Sequence, residues 1–434
     1  MKNITKLHNE NGVDGVHMHL ENKKLSRHFF FFLFVMYAIV YMTKNCFSSA
    51  LAAIVAEGAM TKSQAGIITA AFYVVYTPLQ IVGGIFADKY NPERMIKIGL
   101  IGSAISNMII FLNQNFYIML IAWVFNAIIQ FPLWPSVFKI MSSQLVRSDR
   151  RMMIFYMSFA TSFGLFLAYL TAAFITNWEY NFLLSAGLLF ILAIVLHFYY
   201  NKVEPSMKKD KEVPLTVQKS ASRGKFTATF KLFAASGFLL LSLLTIFRCS
   251  IEQGIKTLAP TMLMESYSNV SPTFGNLMGT IIIIMGILGT VLIRIVYPRW
   301  LRNEYAGYLA LLSLSLPFVI IMKYIGNIHL AIAVGAMCVT TLFLTATHLL
   351  ASHCSLYFTK YGKNGTAAGF INAMGSFGVV IYSYGFSKIA EIYNWNVVMD
   401  LLIVFTVVCI VLNIVACILW SRFRKNEKEF EENI

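Results

Sequence analysis

The stretch FFFFLFVMYAIVYMTKNCFSSALAAI, Phe29–Ile54, is long and apolar enough to cross a bilayer, and Lys44 is its only charged residue. At a helical rise of 1.5 Å per residue, Lys44 lies roughly 15 Å or more from either membrane surface. A lysine stem cannot snorkel that far. Burying an unpaired ammonium there costs at least several kcal/mol, so we expect Lys44 to face a water-filled cavity, a partner or an anionic ligand.

Segments of this kind recur along the whole chain. Its 434 residues are 58% hydrophobic and 13% charged, whereas soluble proteins carry about 25% charged residues. The segments predict an all-α membrane protein with twelve transmembrane helices in two pseudo-symmetric six-helix bundles. They cover residues 29–54, 64–87, 98–113, 116–142, 152–176, 180–200, 232–262, 273–296, 305–324, 328–356, 366–389 and 396–421.

Weak repeats support two halves. Trp178 follows the fifth segment and Trp395 follows the eleventh, while KYNPER after the second segment matches VYPRW after the eighth. Two such halves, related by an axis along the membrane normal, form a transporter architecture with its substrate site near mid-membrane. The expected divisions are a cytoplasmic tail 1–27, an N-terminal bundle 28–200, a cytoplasmic linker 201–231, a C-terminal bundle 232–421 and a second tail 422–434.

The net charge of +15 follows from topology. If both termini are cytoplasmic, the cytoplasmic tails and loops hold about 29 of the 35 Lys and Arg residues. A nucleic-acid patch would not alternate from loop to loop, so nucleic acid is not an expected partner. The polar start has no hydrophobic core of its own and no small-residue cleavage site, which is typical of a tail rather than a signal peptide. We expect a multi-pass protein of the inner or plasma membrane.

Motifs for catalysis or metal binding are missing from the sequence. None of the six cysteines forms a CxxC pair, so neither a zinc site nor a disulfide framework is expected. The chain has no P-loop, HExxH or GxSxG motif, and its linker is too short for a nucleotide-binding domain. We therefore predict no enzymatic activity, no cofactor and no metal, with the lipid bilayer and a small anionic substrate as partners of a monomer.

The second half supplies a counterpart to Lys44 in IFRCSIEQGIKTLAP, where Arg248, Glu252 and Lys256 share one helical face. Arg248 lies close to the depth of Lys44, so both cations are expected to converge on a central cavity that binds an anion. Two alternatives stay open for Glu252. It could form intrahelical ion pairs with both cations, or it could carry a proton, because a dry site raises the pKa of a carboxyl group.

The residues around Lys44 carry a family resemblance. YAIVYMTKNCF is similar to the first helix of the organophosphate:phosphate antiporters of the major facilitator superfamily, the glycerol-3-phosphate and hexose-phosphate transporters. YVVYTPLQIVGGIFADKYNPER and GTAAGF resemble the superfamily's cytoplasmic loop and the family's entry into helix eleven. The resemblance implies two tyrosines, Tyr37 and Tyr41, preceding a basic phosphate ligand at Lys44. It covers essentially the whole chain and implies the fold.

The sequence departs from the family pattern at several positions. Gln80 and Thr161 stand where the glycerol-phosphate branch has a lysine and a histidine. Counting eight residues back from Pro260 reaches Glu252 rather than the family's second phosphate-binding arginine, and Arg248 lies one turn earlier. Lysine replaces arginine at the first site, which substitutes a point charge for a bidentate ligand. These departures favour anion binding over strict inorganic-phosphate exchange.

Residues near the two cations complete the predicted site, and a second group forms a gate. Asp88, at a cytoplasmic helix end, is expected to pair with a basic loop residue and latch one conformation. The gating candidates are Asp88, Arg94 and Arg150. The substrate-binding candidates are Lys44, Arg248, Tyr41, Tyr37, Tyr76, Gln80, Glu252 and Lys256.

The sequence thus predicts a secondary active transporter of a small organic anion, most simply a phosphorylated metabolite, that works by alternating access. Antiport is what the resemblance implies. A proton-coupled transporter of carboxylates or drugs would instead depend on Glu252 and be indifferent to phosphate. A sugar-phosphate receptor, as some relatives are, would bind without transporting.

Overall fold

The structure is a computed structural model that describes residues 18–146, 148–175, 177–209, 226–300, 303–326, 328–361 and 363–426. Helices account for nearly all of the described residues, as the hydropathy pattern predicts. Those of the N-terminal half are α1 Lys23–Lys44, α2 Cys46–Ala56, α3 Lys62–Lys89, α4 Pro92–Leu112, α5 Phe116–Gln130, α6 Leu133–Ser143, α7 Arg150–Phe174 and α8 Glu179–Val203. Most of the linker lies outside the described residues.

The C-terminal half repeats this plan after a short helix, α9, at the end of the linker. Its eleventh segment contains a π-helical stretch, Ile381–Phe386, between two α-helical parts. The helices are α9 Phe226–Ala235, α10 Phe238–Ser266, α11 Pro272–Trp300, α12 Glu304–Tyr324, α13 Leu330–Tyr357, α14 Asn364–Val380, α15 Ser387–Ile392 and α16 Trp395–Lys425. Short 3-10 turns occupy Glu204–Ser206 and Phe358–Tyr361.

The spans agree with the prediction. Ten helical stretches in the described residues are long and apolar enough to cross a membrane. The second and fifth predicted segments are helical too, as α3 of 28 residues and α7 of 25. The predicted fold, an all-α membrane protein with two six-helix halves, is therefore confirmed.

Two helix starts illustrate how local sequence fixes the elements. Thr61 accepts a hydrogen bond from the backbone of Gln64, whose side chain accepts one from the Thr61 backbone, which makes a capping box at α3. Asn91 caps α4 in the same role, with Pro92 at the first helical position, where its missing N–H leaves no bond unmade.

The described chain begins and ends on one side of the helix layer, here named the tail side; the opposite side is the far side. On the tail side, strand β1 (Met18–Leu20) pairs antiparallel with strand β2 (Met207–Lys209), and Leu20 is buried. This two-stranded ribbon ties the N-terminal tail to the start of the linker. It is a small addition to the all-α prediction.

The two halves contact each other through helices that the internal repeat relates to one another. α3 packs on α14, which joins the second segment to the eleventh, and α7 packs on α11, which joins the fifth to the eighth. The repeat relates the second segment to the eighth and the fifth to the eleventh, so exchanging the halves converts one contact into the other. The pairing is what a two-fold axis along the membrane normal requires.

Candidate functional site

Lys44 ends helix α1 in the middle of the first membrane pass. The side chain of Asn45 donates a hydrogen bond to the carbonyl of Tyr41 at 2.7 Å, and the Asn45 backbone N–H donates to the same carbonyl at 3.2 Å. A side chain that competes for a helix carbonyl favours a local break. α2 restarts at Cys46. The break places the Lys44 ammonium at the negative, carbonyl end of α1.

Four aromatic rings surround that ammonium. The Lys44 Nζ lies 3.8 Å from the ring centroid of Tyr76, 5.1 Å from those of Phe72 and Tyr73, and 5.4 Å from that of Tyr41. We name Tyr41, Phe72, Tyr73 and Tyr76 the aromatic cage. Each ring face attracts a cation, and the attraction strengthens when water is excluded. The cage therefore holds a buried charge that is only 9% exposed.

Lys44 has no ion-pair partner among the described side chains. Its neighbours in the cage carry no formal charge, so the charged partner that the sequence analysis left open is not seen in this part of the chain. An ammonium in this position remains electrostatically unbalanced. It matches the expectation of a cation facing a cavity or an anionic ligand.

The other predicted residues of the N-terminal half lie close by. Tyr37 is buried and its ring lies 4.8 Å from the ring of Trp134 and 6.0 Å from that of Tyr41. The Tyr76 hydroxyl interacts with the Gln80 amide one turn further along α3. The structure thus connects Tyr37, Tyr41, Tyr76 and Gln80 to Lys44 through a chain of neighbouring contacts. No sequence pattern indicated that Phe72 would contribute a ring to the cage.

Replacing Tyr76 tests the cage. We expect Tyr76→Leu to weaken anion transport by about 2-fold to 30-fold, since it removes the nearest π face, worth about 0.5–2 kcal/mol. Tyr76→Phe keeps the face and loses only the hydroxyl. Initial uptake rates of the two variants separate the two contributions. Equal rates for Leu and Phe would show that the ring face does not hold Lys44 in its working position.

The predicted residues of the C-terminal half form a buried ion cluster. Glu252 accepts from Arg248 through one oxygen and from Lys256 through the other, at 2.5 Å. The hydroxyl of Thr345 on α13 donates to Glu252 at 2.8 Å and accepts from Lys256 at 2.9 Å. We name Arg248, Glu252, Lys256 and Thr345 the ion cluster. It carries one net positive charge.

Arg248 turns towards its own half. Its guanidinium also donates to the carbonyl of Leu344 at 3.2 Å and lies near Tyr308, while its Nε has no hydrogen-bond partner among the described atoms. The intrahelical pairing that the sequence left open is present. The described contacts of Arg248 do not include Lys44. The two cations, which were expected to converge on a central cavity, are therefore not in direct contact with each other. Cys249, the next residue, lies near Tyr41 and Tyr73 instead.

The far side carries polar contacts that sequence reasoning missed. Glu265 accepts from Lys62 across the halves at 2.6 Å and from the Trp395 indole at 2.8 Å. In the N-terminal half, Glu57 accepts from the Trp178 indole at 2.9 Å. These two Glu–Trp pairs occupy repeat-related positions, and the tryptophans are the ones that mark the repeat in the sequence. Glu391 adds a second bridge by accepting from the Ser63 backbone at 2.8 Å.

These bridges close the far side. Lys62, Ser63 and the helix ends around them bind the C-terminal half there, and Gly66 of α3 approaches the backbone of Ser383 closely. Deeper in the far half of the layer, the Tyr169 hydroxyl donates to the Thr257 carbonyl at 3.0 Å. The arrangement corresponds to one state of a two-bundle carrier, with its far-side ends in contact.

The predicted gating residues lie on the tail side. Asp88 is the last residue but one of α3 and Arg150 begins α7, but both side chains lie outside what the structure describes. Arg94 is exposed. Beside Arg150, Asp149 pairs with Arg27 at 3.2 Å, within the N-terminal half. Hydrogen bonds from Ser148 and Arg27 lower the pKa of Asp149, which keeps this carboxylate charged. The gate at Asp88 stays a prediction.

Known proteins resemble this chain in sequence and in fold. Over 124 residues it is 28% identical to the Membrane sensor protein UhpC of Escherichia coli, a match covering 29% of this chain and 28% of the sensor. Over 393 residues it is 22% identical to the Probable hexose phosphate transport protein of Chlamydia muridarum, covering 85% of each. The chain thus matches under a third of the length of the sensor and most of the transport protein.

The fold has close structural relatives. The crystal structure of a D-xylose–proton symporter superposes with a TM-score of 0.69 at 13% identity, covering 92% of this chain and 98% of the symporter. Identity this low speaks for the fold alone. The family model of the Major Facilitator Superfamily matches residues 33–358, well over half of the chain. The chain is therefore a multi-pass membrane protein that belongs to the Major Facilitator Superfamily.

Proposed function

We propose that this protein is a secondary transporter that carries a small phosphorylated organic anion by alternating access. The observation that carries the proposal is the Lys44 ammonium, buried at mid-membrane in an aromatic cage without a carboxylate partner among the described residues. Such a position suits a ligand of opposite charge, because an uncompensated cation there is otherwise costly. The named hexose phosphate transport relative supports a sugar phosphate as substrate.

The charge of the site suits a phosphate monoester. The ion cluster contributes one net positive charge from the C-terminal half, and Lys44 contributes another from the N-terminal half. A phosphate monoester carries about −1.5 to −2 charge at pH 7. Lys44 would bind the phosphate oxygens directly, with the hydroxyls of Tyr37, Tyr41 and Tyr76 as donors around it. Gln80 would hydrogen-bond the organic part of the substrate.

Transport would then proceed by rocking the two halves about this site. The Lys62–Glu265 bridge and the Gly66 contact would break to open the far side, while the tail side closes near the predicted gate at Asp88, Arg94 and Arg150. An exposed ion pair of this kind is worth about 0–1 kcal/mol, so its rupture does not trap the carrier. We infer a monomer in the plasma membrane with the tail side in the cytoplasm, and no enzymatic activity of its own.

Reconstitution into phospholipid vesicles tests the proposal. We expect saturable uptake of radiolabelled glucose 6-phosphate or glycerol 3-phosphate, accelerated by phosphate or sugar phosphate inside the vesicles. Uptake of carboxylates driven by a pH gradient, with no response to phosphate, would replace the proposal with a proton-coupled carrier that relies on Glu252.

A sensor is the second candidate function. The sensor proteins UhpC match this chain over about 120 residues, which include no complete half. A receptor would bind glucose 6-phosphate with a measurable Kd in titration calorimetry and yet show no flux in the same vesicles. Binding together with flux supports the transporter.

A further inference from the structure

Glu252 occupies the charge-balancing position of the C-terminal half. Both of its carboxylate oxygens are engaged, one by Arg248 and one by Lys256 and Thr345. The side chain is 4% exposed, and those of Arg248 and Lys256 are 3% and 8% exposed. A carboxylate held this way balances the two cations from within the protein, which is the task that a bound anion would otherwise perform.

The pairing of Glu252 affects how the carrier returns across the membrane when it holds no substrate. To reorient, a carrier passes through a state in which both sides are closed and the central residues lose contact with bulk water. Three buried cations without a counter-charge would make that state inaccessible when no substrate is bound. Such a carrier would exchange one anion for another and do nothing else. Glu252 removes one of those charges permanently.

The aromatic cage makes a similar contribution in the other half. Four ring faces within 5.4 Å of the Lys44 Nζ replace part of its lost hydration while leaving its charge available to a ligand. Both halves therefore stabilise their cations without substrate, one by an internal anion and the other by π faces. Neither device uses the transported anion.

We propose that Glu252 is a built-in counter-anion that lets the empty carrier return across the membrane, so that the protein mediates net transport as well as exchange. The proposal rests on the proposed function, since it assigns the coupling mode of the same site. The substrates are those of the proposed function, namely small anions with a phosphate monoester. Exchange for internal phosphate is then one operating mode, and it is not obligatory.

The test compares two fluxes in one vesicle preparation loaded with radiolabelled glucose 6-phosphate. Exchange is measured by efflux into buffer with unlabelled glucose 6-phosphate, and net transport by efflux into buffer without any phosphate or sugar phosphate. Potassium and valinomycin hold the membrane potential at zero, because net movement of the anion transfers charge. For the wild-type protein we expect a net rate within about tenfold of the exchange rate.

Charge variants separate compensation from simple support of the fold. Glu252→Gln leaves two uncompensated cations in the ion cluster and is expected to lower the ratio of net to exchange flux by at least about tenfold. The double variant Glu252→Gln with Lys256→Gln returns the cluster to one positive charge and is expected to recover the ratio. Its recovery excludes misfolding as the cause, because the double variant departs further from the native packing than the single one.

Three outcomes would overturn the inference. Exchange in the wild-type protein without measurable net flux would show that the empty carrier does not return. An unchanged flux ratio in Glu252→Gln, or a ratio that stays low in the double variant, would show that the charge of Glu252 does not govern the return. Absence of both fluxes in the wild-type protein would remove the proposed function, and this inference with it.

Discussion

Lys44→Gln is expected to reduce the rate of glucose 6-phosphate uptake by about 30-fold or more. Truncating one partner of a buried charged contact costs about 2–5 kcal/mol, and every 1.4 kcal/mol is about tenfold in the equilibrium constant. The variant keeps the aromatic cage and removes the uncompensated ammonium, so it should fold at least as well as the wild-type protein. Uptake into vesicles and the melting temperature in detergent measure the two effects separately.

Two control variants test whether the loss is specific to Lys44 and to its positive charge. Lys323→Gln removes a lysine on the far side, where it pairs with Asp400, and uptake should stay within about twofold because an exposed ion pair contributes little. Lys44→Arg keeps the positive charge in a bulkier, planar form and should retain part of the activity. Wild-type uptake in Lys44→Gln would exclude Lys44 as the anion ligand.

The second large effect is expected at the contact between the halves. Gly66→Ala would place a Cβ atom in overlap with the Ser383 carbonyl oxygen and 3.2 Å from the Ser387 Cβ. Both obstacles lie across the interface of α3 with the eleventh segment, so the halves can avoid them only by separating. We expect uptake to fall at least about tenfold, because one of the two states of the cycle is blocked.

Accessibility shows which state is blocked. In a background without the six native cysteines, Thr69→Cys lies in the small far-side cavity lined also by Phe47, Thr257 and Tyr382. A membrane-impermeant maleimide added from the far side should label it faster when Gly66→Ala is present. Gly187→Ala is the matched control, since an added Cβ there meets no atom within 4 Å. Equal labelling and equal uptake in both alanine variants would contradict a far-side closure at Gly66.

The fold could be predicted from the sequence because each crossing of the hydrocarbon core of the membrane requires an apolar helix of similar length. About 20 apolar residues are needed for each pass, and the basic residues outside the passes reveal the alternation of the loops. The departures are local. The break at Asn45 depends on a side chain competing for a single carbonyl, and the π-helical stretch Ile381–Phe386 on one extra residue per turn. Neither changes the mean hydropathy of its segment.

The site was accessible only in part. The burial of Lys44 followed from its depth, and the pairing of Glu252 with Arg248 and Lys256 followed from spacing along one helix. Contacts between helices depend on the rotation of each helix about its own axis, which no single sequence reports. The aromatic cage, Thr345 and the Lys62–Glu265 bridge are contacts of that kind. The hydrogen bond of Arg248 to the Leu344 carbonyl, within its own half, also depends on helix rotation.

Titration calorimetry of glucose 6-phosphate against the purified protein and Lys44→Gln tests the central claim most directly, because it measures the anion site without any step of the transport cycle. We predict saturable binding to the wild-type protein and a Kd for Lys44→Gln that is at least about 30-fold higher. Equal dissociation constants for the two proteins would contradict the claim that this buried lysine binds the anion.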